Sequence, residues 1–180
     1  MARLRHLTAR TLACLFAIAA GAFAAMAEGT LDQDNSPPWN GAVVNISPAS
    51  RATQSFTPRF DCLTGIEVAL MTVYRGRGGD QVTLIVQDGA KPLASSSAAI
   101  PEGFDGFWRF DFAPPLRVES GKLVTFEVAD TGKSVVFWKH APNDHYKSGH
   151  ASFSGSPFYT NDFLFRTYGG PSTSPAAPCR

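Results

Sequence analysis

The stretch from Trp138 to His150 holds the densest group of side chains that can bind a ligand or do chemistry. Flat aromatic rings beside short polar side chains are suited to ligands that have both an apolar face and hydroxyl groups. An alternative interpretation places Trp138 in the core, because it shares its parity with Val136 in a predicted strand. The predicted ligand contacts are Trp138, His140, Asn143, Asp144, His145 and Tyr146.

Three histidines of this stretch, His140, His145 and His150, recur at intervals of five residues and raise the question of a transition-metal site. Imidazoles together with Asp144 are suitable zinc ligands. Regular spacing along a loop does not make side chains converge, however, and the chain has no HExxH motif. The histidine spacing therefore predicts no catalytic metal.

Carboxylates close in sequence, Glu102, Asp105 and Asp111, suggest a glycoside hydrolase as a further candidate. Hydrolysis of a glycosidic bond needs two carboxyl groups that face one bond. Asp111 alternates with core residues and has Arg109 on its own face of the strand, which favours a surface ion pair. The chain also lacks a GxSxG elbow. We therefore expect a protein that is not an enzyme, and we rank the hydrolase third.

The elements that must position these side chains are short strands. Apolar and polar residues alternate in six segments, 66–70, 82–86, 108–112, 124–128, 136–140 and 163–167. Gly, Pro, Asp and Ser clusters separate them, and no sustained helical period follows the N-terminal region. The pattern predicts an all-β fold, an antiparallel two-sheet sandwich of the jelly-roll type with about eight to ten strands.

The alternation also predicts which side chains face the core. Apolar residues at alternate positions of a strand point to the same face of the sheet, which is the inward face here. The predicted core comprises Ile66, Val68, Leu70, Val82, Leu84, Val86, Trp108, Phe110, Phe112, Val124, Phe126, Val128, Phe163 and Phe165.

Residues 1–27 read as a signal peptide. Arg3, Arg5 and Arg10 form a basic start, an Ala-rich apolar run follows, and Ala25-Met26-Ala27 fits a small-x-small cleavage site. The apolar run is shorter than the ~20 residues that span a bilayer, so we expect no membrane span after cleavage. The predicted localisation is export, to the periplasm or outside the cell.

Cleavage would also change the charge of the protein. Removal of three of the 16 basic residues leaves 13 against 15 acidic residues, a net charge of about −2. Nucleic-acid binding needs a basic patch, so this class of partner is not expected. Three further regions are predicted: an extended lead-in over 28–41, the sandwich over 42–168, and a disordered tail rich in Pro and Ser over 169–180.

Two cysteines remain after cleavage, Cys62 and Cys179. An oxidising compartment would permit a disulfide between them. Free thiols, or a bridge to another chain, are the alternatives that the sequence leaves open, because Cys179 lies in the predicted tail.

The order of several short motifs resembles that of secreted jelly-roll domains. It runs through Gln54-Ser-Phe56, Leu63-Thr-Gly65-Ile66, Val82-Thr-Leu84 with Asp88-Gly89, Gly106-Phe-Trp108-Arg-Phe110, Glu119-Ser-Gly121-Lys and Asp162-Phe-Leu-Phe165-Arg-Thr-Tyr168-Gly169. In this order of motifs the chain is similar to domains of the carbohydrate-binding-module and galactose-binding-like type. The resemblance covers about residues 54–169, most of the mature chain, and implies a non-catalytic domain.

The resemblance carries two further expectations. Related jelly rolls often hold a structural calcium ion near their first and last strands, which implies Asp162, with Asp61 or Glu67, as ligands; no other cofactor is expected. It also implies binding of carbohydrate or of another extracellular surface ligand. The alternative is a structural or protein-interaction sandwich that uses its sheet faces or edges, with an extracellular protein as the partner.

Overall fold

The computed structural model describes residues 29–73, 80–130, 135–172 and 179. The predicted signal peptide, residues 1–27, lies outside this part of the chain. The described residues form two antiparallel sheets packed as a sandwich, as predicted. No helix long and apolar enough to cross a bilayer occurs among them.

Thirteen strands make up the described part of the fold, three more than the upper end of the prediction, and three of them have only two or three residues. The first sheet has seven strands: β1 (Thr30–Asn35), β2 (Val43–Ile46), β4 (Cys62–Thr72), β7 (Asp105–Arg117), β9 (Val136–Pro142), β12 (Asn161–Phe163) and β13 (Phe165–Gly170). The second sheet has six: β3 (Ala52–Phe56), β5 (Asp80–Asp88), β6 (Lys91–Ile100), β8 (Val124–Asp130), β10 (Ala151–Phe153) and β11 (Ser156–Pro157).

Strand β4 organises the seven-stranded sheet. It pairs with β7 along one edge. Along its other edge it pairs with β13 and then with β9. The six-stranded sheet runs in the order β11-β10-β3-β8-β5-β6, which leaves β6 as an outermost strand.

The core lies between the two sheets and follows the predicted alternation. Thirteen of the fourteen predicted core residues are buried; Trp108 is only half-buried, and its ring meets the edge of Phe104 at 5.3 Å between centroids. At about 1.5–3 kcal/mol for each fully buried large side chain, this core can stabilise an independent domain.

The sandwich extends beyond both predicted boundaries. The predicted lead-in contains β1, which pairs with β13 and belongs to the sheet. At the other end, β13 continues to Gly170, inside the predicted tail. Strand β7 runs through Pro114 and Pro115 to Arg117. Since β7 is an edge strand, the missing N–H groups of Pro114 and Pro115 need no partner there.

A disulfide joins Cys62, at the start of β4, to Cys179. The two Cα atoms lie 5.5 Å apart, and Cys179 is buried. The bridge closes a loop of 117 residues. In the chain-entropy model, a loop of this length stabilises the folded state by roughly 4–5 kcal/mol. The predicted disorder of the tail therefore does not extend to Cys179.

Candidate functional site

Trp138, the predicted stacking platform, lies inside the sandwich. Its side chain is fully buried, and its ring stacks on Phe163 with centroids 4.1 Å apart. The indole Nε1 donates a hydrogen bond to the Leu164 carbonyl at 3.0 Å. The prediction of a ligand contact at Trp138 was therefore wrong, and the alternative that gave it the inward parity of Val136 was right.

Tyr146 is buried as well, although it follows a loop. Its ring meets the edge of Phe165 at 5.0 Å between centroids, and its hydroxyl donates to Gln33 Oε1 at 2.9 Å. Its backbone N–H donates to Asp162 Oδ2 at 2.9 Å. Burial raises the pKa of Tyr146 to about 12. With its ring packed on Phe165 and only 7% of the residue exposed, Tyr146 offers no ring face for stacking, so this predicted contact was also wrong.

His140 is half-buried among aromatic rings. It lies on the inward face of β9, with its ring centroid 4.9 Å from that of Phe158 and 6.2 Å from that of Phe163. Its Nδ1 is buried and has no hydrogen-bond partner among the described residues. Burial lowers the pKa of His140, and a hydrogen bond with Asn161 acts in the opposite direction. The imidazole is thus part of the packing rather than a ligand contact.

Only the middle of the predicted site reaches solvent. Asn143 and His145 are exposed, and Asp144 forms an ion pair with Lys147 at 2.6 Å. Asn143 and Asp144 both have positive φ, which turns the chain sharply after β9. Trp138 and Tyr146, the two large aromatic side chains predicted for this site, are both buried, so the loop itself lacks a large stacking ring.

The neighbouring loop supplies an exposed ring that the sequence analysis missed. Tyr159 is 83% exposed and precedes Thr160, whose carbonyl accepts a hydrogen bond from the Asn143 N–H at 2.6 Å. The sequence signal was available in principle, because Tyr159 stands between strands in a segment without apolar alternation. Its place beside Asn143 depends on tertiary contacts that the sequence does not reveal.

The three predicted calcium ligands lie in different surroundings. Asp162 is buried and accepts hydrogen bonds from the Gln54 side chain and the Tyr146 backbone. Glu67 Oε2 accepts from the Tyr168 hydroxyl at 2.8 Å, whereas Asp61 Oδ1 accepts from the Ser120 N–H at 3.3 Å. Each carboxylate therefore serves a separate local contact, and a calcium ion held by them stays a prediction.

The three histidines that recur at intervals of five residues lie in different surroundings. His140 packs inside the sandwich, whereas His145 and His150 are exposed. Across the described ranges, no group of three or more His, Cys, Asp or Glu side chains is placed to hold a metal ion.

Asp111 and Asp105, two of the carboxylates considered for hydrolysis, take part in ion pairs. Asp111 accepts from Arg109 Nε at 2.6 Å, as the sequence predicted, and Asp105 pairs with Lys139. Glu102 is half-buried in the turn between β6 and β7. The geometry thus gives no support to a pair of carboxyl groups that face a common cleft.

Charged and aromatic side chains lie together on the outer face of the seven-stranded sheet, opposite the core. Three neighbouring strands, β13, β4 and β7, place side chains there in aligned rows. Two rows follow from the strand registers, and Leu164, whose carbonyl accepts from the Ala69 N–H at 3.1 Å, completes a third. We call this surface the Arg–aromatic face; it comprises Tyr168, Gly65 and Asp111, then Arg166, Glu67 and Arg109, then Leu164, Ala69 and Phe107.

Two cations on this face lie over aromatic rings of neighbouring rows. The Arg109 guanidinium carbon is 4.3 Å from the centroid of Tyr168, and that of Arg166 is 4.1 Å from the centroid of Phe107. Glu67 lies between them: its Oε2 accepts from the Tyr168 hydroxyl and is 3.6 Å from Arg166 Nη1. Burial, and then the bond to Glu67, raise the pKa of the Tyr168 hydroxyl.

Small residues in the central strand make this arrangement possible. A Cβ atom at Gly65 would lie 3.1 Å from Arg109 Nε, Asp111 Oδ1 and the Phe110 carbonyl oxygen. Ala69, Ala141 and Leu164 form a small buried apolar cluster beneath Phe107. The long side chains of the flanking strands therefore meet over β4 rather than projecting separately into solvent.

The same motif recurs at the edge of the face. Lys139 Nζ lies 4.1 Å above the ring of Trp39, which is 38% exposed, and also pairs with Asp105. The Trp39 indole donates to the Ala42 carbonyl at 2.7 Å. Three aromatic rings of this surface thus each have a cation above them.

A shallow cleft of about 650 Å³ lies at one end of the sandwich, near Tyr146 and Pro58. Its main charged feature is internal: the buried Asp32 carboxylate accepts from the Arg59 backbone N–H and from Arg59 Nε, both at 3.1 Å. The pair ties β1 to the loop after β3, so the Asp32 carboxylate is engaged in an internal contact.

Comparison with known proteins adds no identification. No model of a known protein family matches the chain, and a search of curated proteins finds no match. The similarity to carbohydrate-binding jelly rolls therefore stays a prediction, and the function has to be argued from the geometry alone.

Proposed function

We propose that the protein is an exported, non-catalytic β-sandwich that binds another protein through its Arg–aromatic face. The observation that carries this proposal is the ordered arrangement of Arg109 and Arg166 over the rings of Tyr168 and Phe107. Arginine and large aromatic residues dominate the binding energy of protein interfaces. Because these side chains hold one another in place, a partner would not have to order them on binding.

The charges of the face favour a protein partner over a polyanion. Arg109 faces Asp111, Arg166 lies near Asp34 and Glu67, and Lys139 pairs with Asp105; these ion pairs leave acidic and basic groups interspersed. Interspersed charges of both signs complement a mixed protein surface and give specificity more than raw affinity.

The rings of the face are poorly suited to sugar stacking. A sugar ring packs flat on an aromatic ring, and in Tyr168, Phe107 and Trp39 a cation already lies over the ring at 4.1–4.3 Å. A sugar would have to compete with this contact or use the opposite ring face. The same groups can remain in place against a protein surface.

Export is part of the proposal and is supported by two features. The predicted signal peptide over 1–27 directs the chain out of the cytoplasm. The Cys62–Cys179 disulfide is typical of an oxidising compartment.

A photo-crosslinking experiment tests the interaction. A photoreactive amino acid at Asp111, which is exposed on the Arg–aromatic face, should give a discrete protein adduct in the extracytoplasmic fraction of the producing cell. The matched control places it at Thr125 in β8, on the outer face of the other sheet. The Arg109→Ala/Arg166→Ala variant should lose the Asp111 adduct while keeping its fold.

A binding measurement then gives the magnitude. Once the partner in the adduct is identified and purified, the double alanine variant should bind it on the order of tenfold or more weakly than the unsubstituted protein does. Truncation of an interface arginine can cost more than about 1 kcal/mol of binding free energy. The proposal would be contradicted if the double alanine variant bound the partner as tightly as the unsubstituted protein does. It would also be contradicted if the Asp111 adduct still formed in that variant.

Glycan binding is a second candidate function, with Tyr159 instead of Trp138 or Tyr146 as the stacking ring. Tyr159 is 83% exposed and lies beside the polar loop with Asn143 and Asp144. A glycan array or pull-down on insoluble polysaccharide should then show binding that Tyr159→Ala abolishes and Trp39→Ala leaves unchanged. Absence of any glycan binding by the unsubstituted protein would remove this candidate.

A further inference from the structure

Strand β6 forms a long open edge of the six-stranded sheet. It has ten residues, Lys91–Ile100, and in the described part of the chain it pairs only with β5. A strand with a free edge presents backbone N–H and C=O groups that can pair with another strand. Most natural edge strands carry features that prevent this.

Other outermost strands of this protein do carry such features. Strand β1 is interrupted by a register shift between Leu31 and Gln33 and carries two aspartates. Strand β7 contains Pro114 and Pro115 and several charged residues, and β11 has only two residues. Bulges, prolines, charges and short length all oppose edge-to-edge pairing.

Strand β6 has such features only at its start, where Lys91 and Pro92 lie and Leu93 is an extra residue at a register shift against β5. From Ala94 to Ile100 it contains no charged residue, no proline and no glycine. The outward-facing side chains at positions 95, 97 and 99 are exposed and small. Nothing in this segment blocks the approach of another strand.

The sequence of this segment is symmetric about Ser96: it reads Ala94-Ser95-Ser96-Ser97-Ala98. Residues opposite each other in an antiparallel pair must share a face of the sheet, so a symmetric pair is centred on a residue. Centring on Ser96 places Ala94 opposite Ala98 and Ser95 opposite Ser97 of the other copy. All of these cross-strand pairs join small uncharged residues of similar size.

The charge distribution suits the same arrangement. Lys91 is the one charged residue of β6, and antiparallel pairing about Ser96 puts the two copies of Lys91 at opposite ends, roughly 33 Å apart at 3.3 Å per residue. A groove of about 490 Å³ lined by Ala94, Phe112 and Pro114 runs beside this edge. A second copy on β6 would cover its mouth with small side chains.

We propose that β6 pairs antiparallel with β6 of a second copy, in a register centred on Ser96, and so joins two six-stranded sheets. The inference does not depend on the Arg–aromatic face, which lies on the other sheet. One strand pair buries less than the area of a standard stable interface, so the dimer is a weak one that forms at high protein concentration.

Sedimentation across a micromolar-to-millimolar concentration series tests the pairing. The unsubstituted protein should pass from monomer to dimer. The Ser95→Asp/Ser97→Asp variant should weaken the dimer on the order of tenfold or more, because it places aspartates opposite each other in both copies. Thr125→Asp, on the same outer face two strands from the edge, is the matched control and should dimerise normally.

A charge swap tests the register. Ser95→Lys/Ser97→Lys should weaken the dimer in the same way when it is alone. An equimolar mixture with the double aspartate variant should form a mixed dimer, detected by energy transfer between labelled chains. Thermal melts establish that each variant is folded. An unsubstituted protein that stays monomeric at millimolar concentration, a dimer that the aspartates do not weaken, or a mixture that fails to associate would each overturn the proposal.

Discussion

The aromatic residues of the interior and those of the Arg–aromatic face have opposite partners. In the interior, rings meet rings: Trp138 stacks on Phe163, and the rings of Phe126 and Phe165 meet edge to face at 5.5 Å between centroids. On the outer face, Phe107 and Tyr168 instead lie beneath arginines. Similar residue types therefore serve packing in one region and an ordered polar surface in the other.

Substitutions in the interior should therefore affect mainly stability, and substitutions on the Arg–aromatic face should affect mainly binding. An interior ring loses its transfer free energy and leaves a cavity when it is truncated. An outer ring or cation at a partly exposed site contributes only about 0.5–1 kcal/mol through its cation–π contact. Substitutions in the two regions should thus differ in size and in what they change.

Trp138→Ala should have the largest effect. The fully buried indole stacks on Phe163 and fills the space between the sheets, so its removal should lower the free energy of unfolding by about 3–5 kcal/mol in urea denaturation. Trp108→Ala is the matched control; because Trp108 is only half-buried, its loss should be smaller. Equal losses would show that burial does not separate the two tryptophans.

Tyr146→Ala should come next, with a loss of more than about 2 kcal/mol, since its ring packs on Phe165. Tyr146→Phe keeps the ring and removes the hydroxyl that donates to Gln33, so it should cost about 1 kcal/mol. Chemical denaturation of both variants checks the pair. A stable Tyr146→Ala protein would return this residue to the candidate binding groups.

The burial of these two residues shows what sequence alternation can predict. Parity gave thirteen core positions correctly, and it also offered the right alternative for Trp138, two residues after Val136. It failed for Tyr146, which follows a turn made by Asn143 and Asp144 with positive φ. No periodic pattern continues through such a turn, so whether the next ring points inward depends on tertiary contacts.

The Arg–aromatic face could not be predicted from the sequence for a different reason. Arg109 and Tyr168 are far apart in the chain, and they meet only because β7 and β13 both pair with β4. Alternation places each of them outward, but it says nothing about strand order or register. Only the local pair of Arg109 and Asp111, two residues apart on one strand, was predicted, and the structure confirms it.

Arg166→Ala should have a smaller effect than either interior substitution. It removes the cation above Phe107 and the ion pairs with Glu67 and Asp34, and the loss should be about 0.5–1 kcal/mol. Because ion pairs at partly exposed sites are screened, added salt should reduce the difference from the unsubstituted protein. Arg166→Lys keeps the charge without the planar group, so its stability should fall between that of the unsubstituted protein and that of Arg166→Ala. A loss above about 2 kcal/mol in Arg166→Ala would mean that this face is structural.

The smallest effect concerns pH, and it separates two titratable groups of the interior. Burial lowers the folded-state pKa of His140 below its ordinary 6.5. Below pH 6.5 the unfolded chain therefore binds the proton more readily, and the contribution of His140 to stability is lost as the pH falls through this window. Burial raises the pKa of Asp162 above its ordinary 3.8, so its contribution has the opposite sign and stability is regained as the pH falls towards 3.8.

His140→Phe should thus lose less stability than the unsubstituted protein between pH 7 and 5, and Asp162→Asn should lack the gain at lower pH. Urea midpoints across the pH range measure both slopes, and a His140→Phe protein with an unchanged slope would place the imidazole outside the aromatic interior.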